Sequence, residues 1–167
     1  MFVAVAGTGL TFGMWWTYFV LPQAELLHVR RERSFWFGYL HILVFAAIVA
    51  TGAGLHAAAY YIEHHSELSS VATVLSVVLP VGVYILVVYV LYALMAHRVD
   101  PFHVLLLVLT GGVLGLAVVL AANGISMANC LLVVTLAPVV SVVGYEIIGH
   151  RHVAAAVAAN TGEGGRA

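Results

Sequence analysis

The sequence contains no lysine and few charges of either sign, with six arginines and seven acidic residues among 167 residues. Charged residues make up 8% of the chain, against about 25% in soluble domains. This scarcity excludes a water-soluble enzyme with a polar surface and a nucleic-acid-binding protein with a basic face. Cysteine occurs once, at Cys130, so the chain cannot form an internal disulfide bond.

Long apolar runs dominate the sequence, which is 63% hydrophobic with a mean hydropathy of +1.09. A helix needs about 20 apolar residues to cross a hydrocarbon core. The runs are continuous rather than alternating, as in Val71–Val90, so a membrane β-barrel is excluded. We predict one domain at residues 1–159, an all-α polytopic transmembrane helix bundle with about five spans, at 2–21, 35–62, 68–96, 101–122 and 125–149.

Glycine and proline positions support these boundaries. Asn123–Gly124 is typical of a tight turn between the last two spans. Pro80 and Pro138 lie inside spans, where each removes a backbone hydrogen bond and is expected to kink its helix. The polar, glycine-rich tail at 160–167 is predicted to be disordered.

The arginines predict the orientation of the bundle. With five spans, all of them fall on one side of the membrane: Arg30, Arg31, Arg33, Arg98, Arg151 and Arg166. Arginine-rich loops stay in the cytoplasm, so the N-terminus is predicted outside and the C-terminus inside. Because no positive residue precedes the first span, we expect the chain to be a segment, or a natural half, of a larger bundle.

Two histidines lie deep in the second predicted span. His41 is about 9 Å inside one end of the helix, and His56 is at a similar depth from the other end. Ionisable groups inside a membrane are costly and therefore point to a function. The two are about four turns apart, which predicts a shared helix face and a separation of about 22 Å. One interpretation is a two-station proton or cation path, and the other is a pair of neutral imidazoles bonded to hydroxyls or carbonyls.

Tyrosines near His41 extend this hypothesis. Tyr18 on the first span or Tyr39 on the second could hydrogen-bond His41 and set its protonation. Trp15 and Trp16 lie in the same half of the membrane. Since tryptophan and tyrosine concentrate at membrane interfaces whatever the function, anchoring is the alternative.

Glu146 lies one turn from the inner end of the fifth span, four residues before His150. Such a pair ordinarily supports a helix end. The second interpretation is a proton acceptor at a cytoplasmic mouth of the path.

Metal and haem sites are disfavoured by the spacing of the candidate ligands. Neighbouring residues of one loop favour a solvated loop over a metal site: Glu63, His64, His65 and Glu67. Haem needs histidines from two helices at matching depth, whereas the deep histidines share one span and His97 and His103 flank a short turn. We therefore predict neither a metal nor a cofactor.

Two Gly-x-x-x-Gly pairs, Gly9/Gly13 and Gly111/Gly115, permit close helix packing or dimerisation. The sequence contains no phosphate-binding loop, nucleophile–base pair, zinc-protease motif or paired carboxylates. We therefore predict that the protein is not an enzyme.

Residues 13–60 contain four distinctive segments in a fixed order. They are Trp15-Trp16-Thr17-Tyr18-Phe19, an arginine-rich turn, Tyr39-Leu40-His41 and Gly52-Ala53-Gly54-Leu55. This order resembles the bacterial low temperature requirement protein A (LtrA) family. The resemblance implies a multi-pass protein of the bacterial inner membrane, linked by its family name to growth in the cold. It is closest to the C-terminal half of a longer family pattern.

Two positions depart from the family pattern. Val20 and His56 stand where the family tends to have acids, which puts any ion-handling role of those acids in doubt here.

Three hypotheses follow for the function. The first is an LtrA-like protein of membrane or stress physiology, built as a transporter- or channel-like bundle. The second is a non-transporting assembly subunit that pairs with a missing N-terminal half or with itself. A haem- or quinone-linked redox subunit is the least favoured. The lipid bilayer is the one certain partner, and nucleic acid is not expected to be one.

Overall fold

The computed structural model describes residues 2–21, 23, 27–28, 31–96 and 101–149. Every regular element in these residues is helical, so the all-α prediction is confirmed. A 3-10 turn at Arg31–Arg33 precedes the second helix, and a π-helical turn at Tyr145–Gly149 follows the fifth. The five helices are α1 (Phe2–Phe19), α2 (Ser34–Ile62), α3 (Ser70–Ala96), α4 (Pro101–Ala122) and α5 (Met127–Gly144).

Several predicted features lie outside the described residues. They are the tail at 160–167, the histidines His97 and His150, and the arginines Arg30, Arg98, Arg151 and Arg166.

Among the described residues, four helices are long and apolar enough to cross a membrane, rather than the five predicted. They are the segments Arg31–Ile62, Ser70–Ala96, Pro101–Ala122 and Met127–Ile147. The first helix, α1, has 18 residues and is not among them; its sequence includes two tryptophans, a tyrosine, three threonines and three glycines. It ends at Phe19, two residues before the predicted end of the first span.

The central helix is α3, which packs against α2, α4 and α5. Val74, Val81 and Ile85 are fully buried, and buried side chains occur around most of the circumference of α3. By contrast, α2 buries a single narrow row of residues: Val44, Ala47, Thr51, Gly54 and Ala58. The alternating spacing of three and four residues places this row on one side of α2.

Gly54 permits the closest approach between α2 and α3. A Cβ atom at this position would overlap the carbonyl oxygen of Ser76 and lie 2.7 Å from its carbonyl carbon. Backbone cannot move aside as a flexible side chain can, so only glycine fits here at the observed helix separation. The family-motif residue Gly54 is therefore a packing residue.

Arg33 ties the start of α2 to the end of α3. Its Nη1 donates to the carbonyl oxygen of Leu94 at 2.5 Å. That carbonyl belongs to the last turn of α3, where backbone acceptors have no partner within the helix. A guanidinium also interacts favourably with the negative end of the helix dipole.

Small residues seat α1 on α5. A Cβ at Gly9 would lie 2.9 Å from Thr135 Cγ2, and one at Gly13 would lie 2.7 Å from Pro138 Cγ. The Gly9-x-x-x-Gly13 pair thus serves packing within the chain. The α1 helix runs antiparallel to α2, because Gly7 lies beside Leu55 at one end and Tyr18 beside His41 at the other.

The predicted turn lies where expected, and both prolines are inside helices as predicted. Pro80 is inside α3, and Pro138 is inside α5. Asn123 and Gly124 form the turn between α4 and α5, with Gly124 at a φ of 76°, a left-handed conformation that glycine adopts without strain.

Candidate functional site

A cleft of about 580 Å³ lies between α1 and α2. Its floor consists of buried side chains: Met14, Val44, Thr51 and Tyr84. Its rim is exposed and mostly apolar, with Thr11, Trp15, Phe19, Phe45, Ile48 and Gly52. Leu55 packs against Gly7 at one end of the cleft. The cleft is therefore open sideways, towards the space that lipid would occupy.

Tyr18 and His41 meet at the other end of this cleft. The Tyr18 hydroxyl lies 2.7 Å from His41 Nε2, and His41 Nδ1 lies 2.6 Å from the carbonyl oxygen of Phe37. A carbonyl only accepts, so in the neutral ring the hydrogen is on Nδ1, and Nε2 accepts from the Tyr18 hydroxyl. The predicted partner Tyr18 is thus in hydrogen-bond contact with His41.

This arrangement accommodates a second proton on the imidazole. When Nε2 is protonated it donates, and the Tyr18 hydroxyl rotates to accept, while Nδ1 continues to donate to Phe37. Both ring nitrogens of His41 keep their partners in both states. The hydrogen-bond partners of the pair are therefore compatible with either protonation state of the ring.

Aromatic rings surround the His41 imidazole. The ring of Phe37 is 4.3 Å away between centroids, that of Tyr18 is 5.7 Å away, and that of Phe45 is 6.0 Å away. The backbone carbonyl that holds Nδ1 is one helical turn earlier on α2. Helix geometry thus positions one side of the imidazole, and α1 positions the other.

Tyr84 of α3 forms part of the floor and connects the cleft to the central helix. Its hydroxyl donates to the carbonyl oxygen of Met14 at 2.6 Å, and its side chain is almost fully buried. The spacing of Tyr84, Tyr89 and Tyr92 places them on one arc of α3, about 140° wide. The structure buries all three, and the acceptor of Tyr84 lies 70 residues earlier, so local spacing could not indicate it.

Tyr39 and His56 lie outside the cleft. Tyr39 is exposed and packs against Phe35, with ring centroids 4.3 Å apart, so it does not contact His41. His56 is exposed and lies against Tyr60 at 4.8 Å. Fifteen residues turn a helix about 60° beyond four full turns, which separates the directions of His56 and His41. The structure brings His41 together with Tyr18 and leaves His56 apart.

Glu146 lies in the π-helical turn after α5, and its side chain is exposed. His103 is buried between α3 and α4, with its ring 4.7 Å from that of Tyr92. It is thus on a different helix pair from His41.

The loop after α2 is exposed at Glu63, His64, His65 and Glu67. His65 Nδ1 and Glu63 Oε2 are 3.7 Å apart on side chains that are more than half exposed. Within the part of the chain that the structure describes, no three His, Cys, Asp or Glu side chains are grouped so that they could hold a metal ion.

The family-motif residues occupy two structural positions. Trp15, Tyr18, Phe19 and His41 line the cleft, and Gly54 lies at the α2–α3 contact. Trp16 and Tyr39 are exposed.

A comparison with family models gives a match over residues 1–138 to the family described as Bacterial low temperature requirement A protein (LtrA). The match extends well beyond residues 13–60, into α5. No curated protein and no solved structure gives a significant match. The resemblance predicted from Trp15, Tyr18, His41 and Gly54 is confirmed, and this chain belongs to the bacterial LtrA family.

Proposed function

We propose that this helical membrane protein is a transport-type bundle of the bacterial inner membrane in which His41 takes up and releases a proton. The observation that carries the proposal is the pair of hydrogen bonds that join His41 to the Phe37 carbonyl and to the Tyr18 hydroxyl, at a cleft of about 580 Å³. A titratable group at this depth in a membrane is costly and needs a function. Histidine is the side chain whose ordinary titration falls near physiological pH.

A proton is favoured over a metal cation by the chemistry of the cleft. Of the described residues that line it, none carries a carboxylate, and hard cations prefer several oxygen ligands. His56 lies outside the cleft, so the proposal rests on one histidine rather than on the two-station path.

The test is proton uptake by liposomes that contain the purified protein and an internal pH-sensitive dye, under an imposed membrane potential. We expect faster acidification than in empty liposomes of the same lipid. Acidification at the rate of the empty liposomes would contradict the proposal.

We further propose that α1 crosses the membrane beside α2, with the N-terminus outside and the C-terminus in the cytoplasm. The support is that α1 accompanies α2 between the levels of His41 and Leu55, about 21 Å of helix length. Arg31 and Arg33 lie at the end of α2 that would then be cytoplasmic.

Single cysteines test this orientation in a background in which the buried Cys130 is replaced by alanine. Ser34 and Glu63 are exposed at opposite ends of α2. In intact spheroplasts a membrane-impermeant maleimide is expected to label Glu63→Cys, and to label Ser34→Cys only after permeabilisation. Rapid labelling of Ser34→Cys in intact spheroplasts would contradict the orientation.

A second candidate function is that of an assembly subunit, which the outer face of α4 favours. Gly111, Gly112 and Gly115 are exposed, and a Cβ at each would meet no described atom within 4 Å. In membranes such small residues allow close packing of another helix. Under this candidate, Gly112→Cys in the Cys130→Ala background should form a disulfide-linked dimer in native membranes, and Gly52→Cys should not. A strict monomer in both variants would count against self-assembly through α4.

A further inference from the structure

Three cavities follow one another along α2, starting at its positively charged end. The first, about 420 Å³, is lined by Leu27, His28, Arg31 and Ser34. The second, about 290 Å³, shares Ser34 and continues along Phe35, Gly38, Tyr39 and Ile42. The third is the cleft between α1 and α2.

Each of these cavities reaches one stripe of α2, from which the second cavity and the cleft extend in opposite directions around the helix. At 100° per residue, the following positions fall within about 40° of a single line along the helix: Ser34, Gly38, His41, Phe45, Ile48 and Gly52. A Cβ at Gly38 or Gly52 would meet no described atom within 4 Å, so both glycines leave space on the stripe. Ser34 and Gly38 line the second cavity, whereas Phe45 and Gly52 line the cleft, so the stripe is the edge at which these two cavities approach each other. We call the stripe with its three cavities the track.

The two ends of the track differ in chemistry. At the first cavity Arg31 is exposed, and the neighbouring Arg33 is already engaged by the Leu94 carbonyl. Glu32 is exposed but does not line this cavity. The cleft at the other end is apolar beyond the Tyr18–His41 pair. A molecule that fits both ends carries a negative charge at one end and a hydrocarbon chain at the other.

The dimensions of the cleft fit one extended chain. From His41 to Leu55 the helix rises about 21 Å, so a volume of about 580 Å³ corresponds to a mean cross-section of about 28 Å². That cross-section is enough for an extended acyl chain. Exposed aromatic side chains, including Trp15, Phe35 and Trp36, lie near the Arg31 end of the track. Such side chains are typical of the headgroup level of a bilayer.

We propose that this track binds one molecule of an anionic phospholipid, with the headgroup at Arg31 and one acyl chain in the cleft between α1 and α2. The sideways opening of the cleft faces the hydrocarbon region, where acyl chains are the available apolar ligands. The charge at Arg31 complements a headgroup of net negative charge better than it complements a zwitterion, whose ammonium group offsets its phosphate. Binding requires no proton movement at His41, so this proposal stands apart from the proposed transport.

Native mass spectrometry of the purified protein tests the site with two lipids that carry identical acyl chains, phosphatidylglycerol and phosphatidylethanolamine. We expect one retained phosphatidylglycerol per chain and about a fivefold preference over phosphatidylethanolamine, because one arginine attracts a headgroup of net negative charge by about 1 kcal/mol more than a neutral one. Arg31→Gln should remove this preference and leave the fold intact, because Arg31 is exposed.

A second pair of variants tests the acyl-chain part of the track. Gly52→Leu fills the stripe and is expected to reduce lipid occupancy at least fivefold, whereas Gly112→Leu adds the same side chain to the open face of α4 and should not. Equal occupancy in these two variants would overturn the proposal, as would an unchanged headgroup preference in Arg31→Gln. If His41→Gln also loses the lipid, the imidazole is part of the lipid site. If His41→Gln retains the lipid, lipid binding is separate from transport.

Discussion

Replacing His41 by glutamine is expected to lower proton uptake by protein-containing liposomes to the rate of empty liposomes. Glutamine offers an oxygen to the Tyr18 hydroxyl and an amide hydrogen to the Phe37 carbonyl, so it preserves the hydrogen-bonding roles seen for the imidazole. It cannot bind a proton near neutral pH. Dye-monitored uptake therefore separates the loss of titration from a loss of structure.

His56→Gln is the matched control, because it makes the same change on the same helix at an exposed position outside the cleft. Its uptake should equal that of the unaltered protein. Tyr18→Phe, which removes one hydrogen bond of about 1 kcal/mol, should slow uptake about fivefold without abolishing it. Full uptake by His41→Gln would exclude His41 as the proton carrier, and equal losses in both glutamine variants would restore the two-histidine path.

Gly54→Ala is expected to lower the free energy of unfolding by about 1–3 kcal/mol, the range for overpacking a tightly fitted contact. The added methyl group meets the Ser76 carbonyl, so α2 and α3 must move apart along their length. Thermal unfolding in detergent, followed by circular dichroism at 222 nm, measures the effect as a lower midpoint temperature.

Gly52→Ala provides the control, since it makes the same substitution two residues away on an exposed face with no described atom within 4 Å. Alanine stabilises a helix relative to glycine by about 1 kcal/mol, so this variant should unfold at the same temperature or a higher one. The two substitutions are thus expected to differ in sign. Equal destabilisation by both would show that the Gly54–Ser76 contact does not control the packing of α2.

Hydropathy was sufficient to place α2, α3 and α4, because their apolar runs are long and end at recognisable turn residues. It also counted α1 as a span, although α1 is not among the four helices that meet the length and hydropathy of a membrane span. The pairing of Tyr18 with His41 was predictable from depth, since both residues lie in the same half of the bundle. Tyr39 is at a similar depth but points away from α1. Its direction depends on how α2 is rotated about its own axis, which depth alone does not determine.

Other features depend on contacts between helices that no local pattern reveals. Tyr84 donates to a carbonyl of α1, and Gly54 touches the backbone of α3. Both require the register of one helix against another. The two Gly-x-x-x-Gly pairs make the same point, since Gly9 and Gly13 are covered by α5 and Gly111 and Gly115 face outward.

Gly54 also determines how deep His41 sits. Hydrocarbon tails are as apolar as leucine, so burial alone does not favour one height of α2 over another. A slip of one helical turn, about 5.4 Å, would bring Ala50 or Ala58 to the Ser76 carbonyl, and each carries the methyl group that Gly54 lacks. The contact of Gly54 with Ser76 thus fixes the height of the His41 imidazole, which lies about 20 Å away along α2. Any movement of α2 along its axis would first have to break this contact.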